Sequence, residues 1–363
     1  MAVKNSFIRS ILDNIDIKSG NTSEMKFSLI GILCGILLIT SISCSSDENP
    51  NGDIKLASKA YLFATTVNGI VKRYDINDGS NKPSINISST SASKIIAEGI
   101  ASFAVLSLEP GRIESYENLS IPDKTGSIDA NTDFTSTVTF QHPTDLEKSE
   151  GFYVVSDTTD FDGDLQTEEG RILIFKKSET GFEIRNMVLT DFKVVGMEFV
   201  GEDLYVIKSH SNKVAVFRNF LDSYQVFSRA VAEKTVRIEG ALQLSSLDFE
   251  NGTMFLADMG DPGINGDGAI HSITGFESKF VNTPGSNIIP AVGQLVISGN
   301  NTQLGNPVDI KYDASYNAVF VAEAASAGGR IIAFNRADSV EGNISPDLSY
   351  KLSGVTSVDF YTE

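Results

Sequence analysis

Tryptophan is absent from the 363 residues, and only two cysteines and three histidines occur. Each shortage narrows the chemistry. Without tryptophan, a sugar-stacking site would rest on the ten tyrosines. Cys34 falls inside an N-terminal apolar stretch and Cys44 is the only cysteine after it, so no disulfide framework can form within the rest of the chain. His142, His210 and His271 are scattered along the sequence, and a zinc site needs a fold that makes them converge. No GxSxG elbow, P-loop or dinucleotide fingerprint is present. No apolar run approaches the ~20 residues of a membrane-spanning helix. Basic residues are also scarce: 29 lysines and arginines face 47 acids, a net charge of −18, which argues against nucleic acid as a partner. What remains, 41% hydrophobic and 21% charged, suits a globular protein with a sizeable core.

The longest apolar run, Phe27 to Ile39, follows the basic start Met25-Lys26 and precedes small and polar residues and Cys44. Thirteen residues match a secretory signal core. The segment 25–43 resembles a bacterial lipoprotein signal, which implies lipidation of Cys44, an anchor in the membrane and a place in the cell envelope of a Gram-negative bacterium. The polar acidic stretch "SSDENPNGD" makes 44–58 a flexible tether and resembles the surface-export signal of some outer-membrane lipoproteins. Residues 1–24 read as an over-extended start or a disordered arm.

From residue 59 to 363 one pattern recurs: an apolar run, a turn residue, then a run of the form basic–Ile–x–x–aromatic. It appears as "YLFATTVNGIVKRY" from Tyr61, "FAVLSLEPGRIESY" from Phe103, and again from Phe152, Leu204, Met254 and Val319. The turn residues Gly69, Gly111, Gly170, Asn212, Gly268 and Gly329 give a period of about 52 residues. A second motif, small–x–acid–large apolar, precedes most copies: "PTDL" at Pro143, "GMEF" at Gly196, "SLDF" at Ser246 and "PVDI" at Pro307. A fifth copy, "SVDF" at Ser357, stands at the C-terminus with nothing after it, while the first copy at Tyr61 has nothing before it. Ring closure accounts for both, with Val355–Glu363 paired beside the strand that starts at Ala60. Alternating β-branched and aromatic residues bounded by Gly, Asn, Asp and Ser favour strands, four per repeat. The third repeat is expected to hold Thr144–Leu146, Phe152–Ser156, Arg171–Lys176 and Phe182–Leu189. The expected fold is all-β: a six-bladed β-propeller closed by its C-terminal strand. No helix is expected after the signal, and the long interval between Gly268 and Gly329 is read as an extended blade edge, not a seventh blade.

"GNPVDIKYDASYNAVFVAEAASAGGRIIAF", residues 305–334, resembles the repeats of NHL-type and senescence-marker/gluconolactonase-type propellers, and the weaker copies extend that resemblance over most of 60–363. It implies the propeller architecture. It also implies an alternative function, a metal-dependent lactone hydrolase, whose Glu, Asn and Asp ligands at the channel mouth would fall on Glu98, Asn306 and Asp258.

Loop lengths suggest where a ligand would bind. The turn after the second strand is short in repeats one, two and four and longer in three, five and six. The expanded turns are acidic. Asp157, Asp258 and Glu323 end their strands at equivalent positions, joined by Asp261 and Asp267 in the fifth, so a binding face built on Asp157, Asp261, Asp267 and Glu323 is expected. In "DFDGDLQTEEG", Asp160, Asp162, Asp164 and Glu168 are candidate ligands for calcium or another divalent cation. The EF-hand register fails, because Gly163 stands fourth and Arg171 twelfth, which leaves a solvated turn as the competing reading. The acids Asp145, Glu198, Asp248, Asp309 and Asp359 form a second set, either ringing the central channel or bonding to backbone and to repeated bases such as Arg112, Arg171 and Arg330. The expected function is a lipid-anchored binding or scaffolding module for a protein, peptide or polar small molecule.

Overall fold

The repeated apolar run becomes the second strand of each of six sheets: Ala60–Thr66, Ser102–Leu108, Phe152–Asp157, Asp203–Lys208, Thr253–Asp258 and Ala318–Glu323. These runs are apolar at nearly every position because both faces of each sheet are covered. Leu62 and Ala64 pack toward the sixth blade, while Phe63 between them packs toward the second. The structure is a computed structural model that describes residues 59–161, 163–164, 168–261, 264, 266–283 and 285–363. The signal segment 25–43, Cys44, the tether and residues 1–24 lie outside the described residues, as does Asp162.

Six apolar clusters fill the molecule, one at each interface between neighbouring blades. The innermost strands are Val355–Thr362, Ala92–Gly99, Pro143–Ser149, Val194–Val200, Leu244–Glu250 and Pro307–Asp313, in blades one to six. Each touches the next, and the last touches the first, so the ring is closed. Closure is made as expected: Val355–Thr362 pairs antiparallel with Ala60–Thr66, Asp359 opposite Phe63. Blade three contains Pro143–Ser149, Phe152–Asp157, Gly170–Ser178 and Gly181–Thr190, each one to four residues longer than its sequence expectation.

The repeated turn glycines serve a backbone approach. A Cβ on Gly111 would lie 2.2 Å from the carbonyl oxygen of Phe140, in the segment that leads to the next blade. In blade four Asn212 does the equivalent work with its side chain, donating to the carbonyls of Ile238 and Ala241.

The outer edges are covered by a device the sequence did not announce. The segment joining the third and fourth strands of one blade adds a short parallel strand to the outer edge of the blade before it. Ser127–Asp129 pairs with Ser84–Asn86, Ser228–Ala230 with Val188–Thr190, and Ile288–Ile289 with Arg237–Ile238. The interval before Gly329 is explained in this way: Ile288–Ile289 covers blade four and Leu295–Ser298 is the outer strand of blade five. The expectation of no helix is corrected. Phe220–Ser223 and Phe276–Val281 form short helices whose Phe220, Phe276 and Phe280 plug the outer ends of blade interfaces.

Candidate functional site

Each inner strand carries a β-bulge near its start, and the bulge occurs at the same place in all six blades. Between Pro143, opposite Asp157, and Asp145, opposite Ser156, the intervening Thr144 has no partner. The same skip isolates Val195, Ser245, Val308, Thr356 and Ser93. A bulge re-aims the extra side chain, and here all six line one funnel on the axis at the face where the inner strands begin. Val67, Leu244, Met259, Ala324 and Val355 complete a mainly apolar wall, Ser209, His210 and Gln243 stand among the lining residues, and Lys94 lies at the floor. The funnel encloses about 460 Å3.

Below it the channel narrows to a second, polar cavity of about 280 Å3. Its inward side chains form two layers. The upper layer is Lys94, Asp145, Gly196, Ser246, Asp309 and Ser357, all at one register position relative to their second strands. Two residues on, the lower layer is Ile96, Glu147, Glu198, Asp248, Lys311 and Asp359. The repeated acids expected to form one set therefore belong to two: Asp145 and Asp309 above, Glu198, Asp248 and Asp359 below.

Lys94 Nζ sits 3.1 Å from Asp145 and 2.5 Å from Asp309. Asp309 also accepts hydrogen bonds from the hydroxyls of Ser246 and Ser357, at 2.6 Å each, and from Val358 N. In the lower layer Lys311 Nζ lies 2.5 Å from Asp248 and 3.9 Å from Asp359. Most of these acids also tie one blade to the next through backbone N–H groups: Asp145 accepts from Met197, Asp248 from Tyr312 and Asp359 from Ala97. Burial opposes the charge of both lysines, but the neighbouring carboxylates outweigh it and hold them protonated above the ordinary lysine range. Burial pushes the Asp145 and Asp359 carboxyls up in spite of those lysines.

Glu147 and Glu198 differ. They face the channel half-buried, and among the described residues no ammonium is in salt-bridge contact with either. Burial raises both carboxyls well above the usual range, and the carboxylates around them add to it: Asp145 and Asp359 beside Glu147, and Glu147, Asp248 and Asp145 beside Glu198.

The expected binding-face acids have another role. Asp157, Asp258 and Glu323 are buried, and each clamps the loop entering its own blade. Asp157 accepts from the N–H groups of Gln141, His142 and Thr159 and pairs with Arg171 at 2.8 Å. Asp258 accepts from Leu242, Gln243 and Gly260. Glu323 accepts from Gly305, Asn306, Ala325 and Ser326. Asp157 and Glu323 are thus corrected from contact residues to internal clamps. Asp261 remains exposed, and its N–H donates to Asp267. Repeated arginines do not serve the channel acids: Arg112 pairs with Glu114, Arg171 with Asp157, and Arg330 bonds Gln303 and Ser349.

The lactonase-type set is not brought together. Glu98 lies near the end of its inner strand, whereas Asn306 precedes the start of one and Asp258 ends a second strand, so Glu98 and the other two fall at opposite mouths of the channel, ~20 Å apart along strands of about seven residues. Glu98 is engaged by Lys148, Tyr153 and Lys177. Burial opposes its charge, but these partners hold its carboxyl below the usual range. In the blade-three loop, Asp160 accepts from Gly163 N, Asp164 and Glu168 are exposed, and Asp162 lies outside the described residues. Among the described residues no three acids, histidines or cysteines are grouped to hold a metal ion. His142 and His210 are exposed, and His271 is buried with Nε2 3.5 Å from Asp258.

No protein family matches the sequence, and no curated protein matches it. Solved structures match by shape. A chain of a nidogen/laminin complex superposes with a TM-score of 0.54 and 11% identity, over 83% of this chain and 98% of that one. A Bacteroides fragilis protein provisionally named a 6-phosphogluconolactonase superposes with a TM-score of 0.50 and 11% identity, over 84% and 98%. The shared feature is the propeller. At this identity the likeness shows the fold alone, and the resemblance of 305–334 to NHL-type repeats goes no further than architecture.

Sequence reasoning missed Lys94, Glu147, Lys311 and the whole funnel. The period of two within each inner strand was the available signal: "DLE" at 145–147 and "DIK" at 309–311 place two inward residues per blade.

Proposed function

We propose that this chain is an envelope-anchored binding propeller whose ligand, a small molecule with an apolar body, enters the funnel. The observation that carries this reading is the bulge repeated in all six inner strands, which turns six side chains toward one cavity of about 460 Å3. Nothing in a propeller's closure requires that bulge six times over, whereas a mostly apolar pocket with a few convergent polar groups is what small-molecule recognition uses. The hydrolase alternative has no comparable support, because Glu98, Asp258 and Asn306 do not share a site. The segment at 25–44 supports the anchor.

Two experiments test the two halves. The uncharged fluorophore Nile red should bind one site saturably, and Val195→Trp with Val308→Trp should reduce that binding at least tenfold with the melting temperature preserved; unchanged binding in the double variant would count against the funnel. Cys44→Ser should abolish incorporation of labelled palmitate in a Gram-negative host, and continued labelling would refute the anchor.

A further inference from the structure

We propose that the funnel selects a ligand whose apolar body carries a protonated amine directed at the floor. This rests on the funnel being the binding site. The bulge hydroxyls of the funnel wall are set up to accept hydrogen bonds. A serine or threonine hydroxyl has one proton, and in the bulges those protons are committed. Thr144 donates to Val194 O at 2.8 Å, Ser245 to Pro307 O at 2.6 Å, Thr356 to Ala92 O at 2.7 Å and Ser93 to Leu106 O at 3.3 Å. What these hydroxyls can still offer a ligand is lone pairs.

The floor adds charge of one sign. Lys94 uses two of its three N–H groups on Asp145 and Asp309, so one could still meet an anion. The sum of charges decides against that. Beneath the funnel six carboxylates line a cavity with three ammonium groups: Lys94 and Lys311, each paired within it, and Lys148, whose charge is met by Glu98 outside those six. Even with Glu147 and Glu198 both protonated, four carboxylates stand against Lys94 and Lys311, while Lys148 is offset by Glu98. The apolar wall keeps the local dielectric low, so this excess acts on a ligand head more strongly than it would in water.

Three probes that share a phenyl ring on three methylenes separate the possibilities: 3-phenylpropylammonium, 3-phenylpropanol and 4-phenylbutanoate, titrated calorimetrically at pH 7 and by competition with Nile red. The ammonium should bind at least tenfold more tightly than the alcohol, with the carboxylate weakest. Raising ionic strength from about 0.05 to 0.5 M should shrink the ammonium's advantage. Val195→Lys, a partly exposed wall position, should reverse the order in favour of the carboxylate while leaving the melting temperature in place. An alcohol or carboxylate that binds the native protein as well as the ammonium would overturn the head-group assignment and leave the funnel as a binding site. Failure of Nile red itself to bind would instead remove the reading on which the inference stands. An unchanged order in folded Val195→Lys would also overturn it, since selectivity would then not come from the charge of this cavity.

Discussion

Glu323 accepts four backbone N–H groups in a place water does not reach. Removing its charge leaves strong donors imperfectly paired, so Glu323→Gln should lower stability by about 2–3 kcal/mol and the melting temperature by several degrees. Chemical denaturation checks this, and a neutral result would mean that the clamp is dispensable. Glu198 should behave in the opposite sense. Its folded carboxyl is raised by burial and by Glu147 and Asp248, so between the ordinary glutamate value, about 4.3, and that raised value the folded state holds more protons than the unfolded one. Stability is therefore lost as pH rises through this window. Glu198→Gln should stabilise the protein by a few degrees at pH 8 and confer nothing of this at pH 4, as melting curves across pH would show. An equal gain at both pH values would mean that repulsion in the channel is not the cause.

At the scale of elements, most of the fold was legible because turns and buried runs repeat. Phe152–Asp157 and Ala318–Glu323 read as strands, since two covered faces demand unbroken apolar residues. Ring closure was legible from a single unpaired motif at Ser357. The channel was not, because the motif small–x–acid–large aligns Pro143 with Ser246 and so places Asp145 level with Asp248. The bulge falls inside the motif in blade three and ahead of it in blade five, so the two acids lie two residues apart, in different layers. A bulge leaves no mark of its own in composition, and Thr144, Val195, Ser245 and Val308 share no chemistry that would reveal a common position. The acids at Asp157, Asp258 and Glu323 misled for a related reason. An acid at a loop start looks the same in sequence whether it faces solvent or caps the neighbouring backbone. The closing strand yields a direct prediction. Deleting Val355–Glu363 strips Ala60–Thr66 of its inner partner and opens the interface of blades six and one. The truncated chain should lose its cooperative melting transition and aggregate, which light scattering on heating would record; an unaltered transition would contradict closure through this strand.

At the scale of the molecule, the six blades bring scattered residues to one axis. Apolar side chains line the upper end and carboxylates the lower, with Lys94 and Lys311 paired among the carboxylates. The overall charge of −18 agrees in sign with the channel, so a cationic ligand meets attraction at long and short range alike. The most direct test of the account is to locate the ligand. With methyl-labelled Val, Leu, Ile and Met, titration of 3-phenylpropylammonium should shift the methyl resonances of Val195, Leu244, Met259, Val308 and Val355 together, with one affinity, and leave those of the outer strands in place. Shifts confined instead to methyls at the blade edges or beside the acidic loop of blade three, with the funnel methyls unmoved, would contradict it.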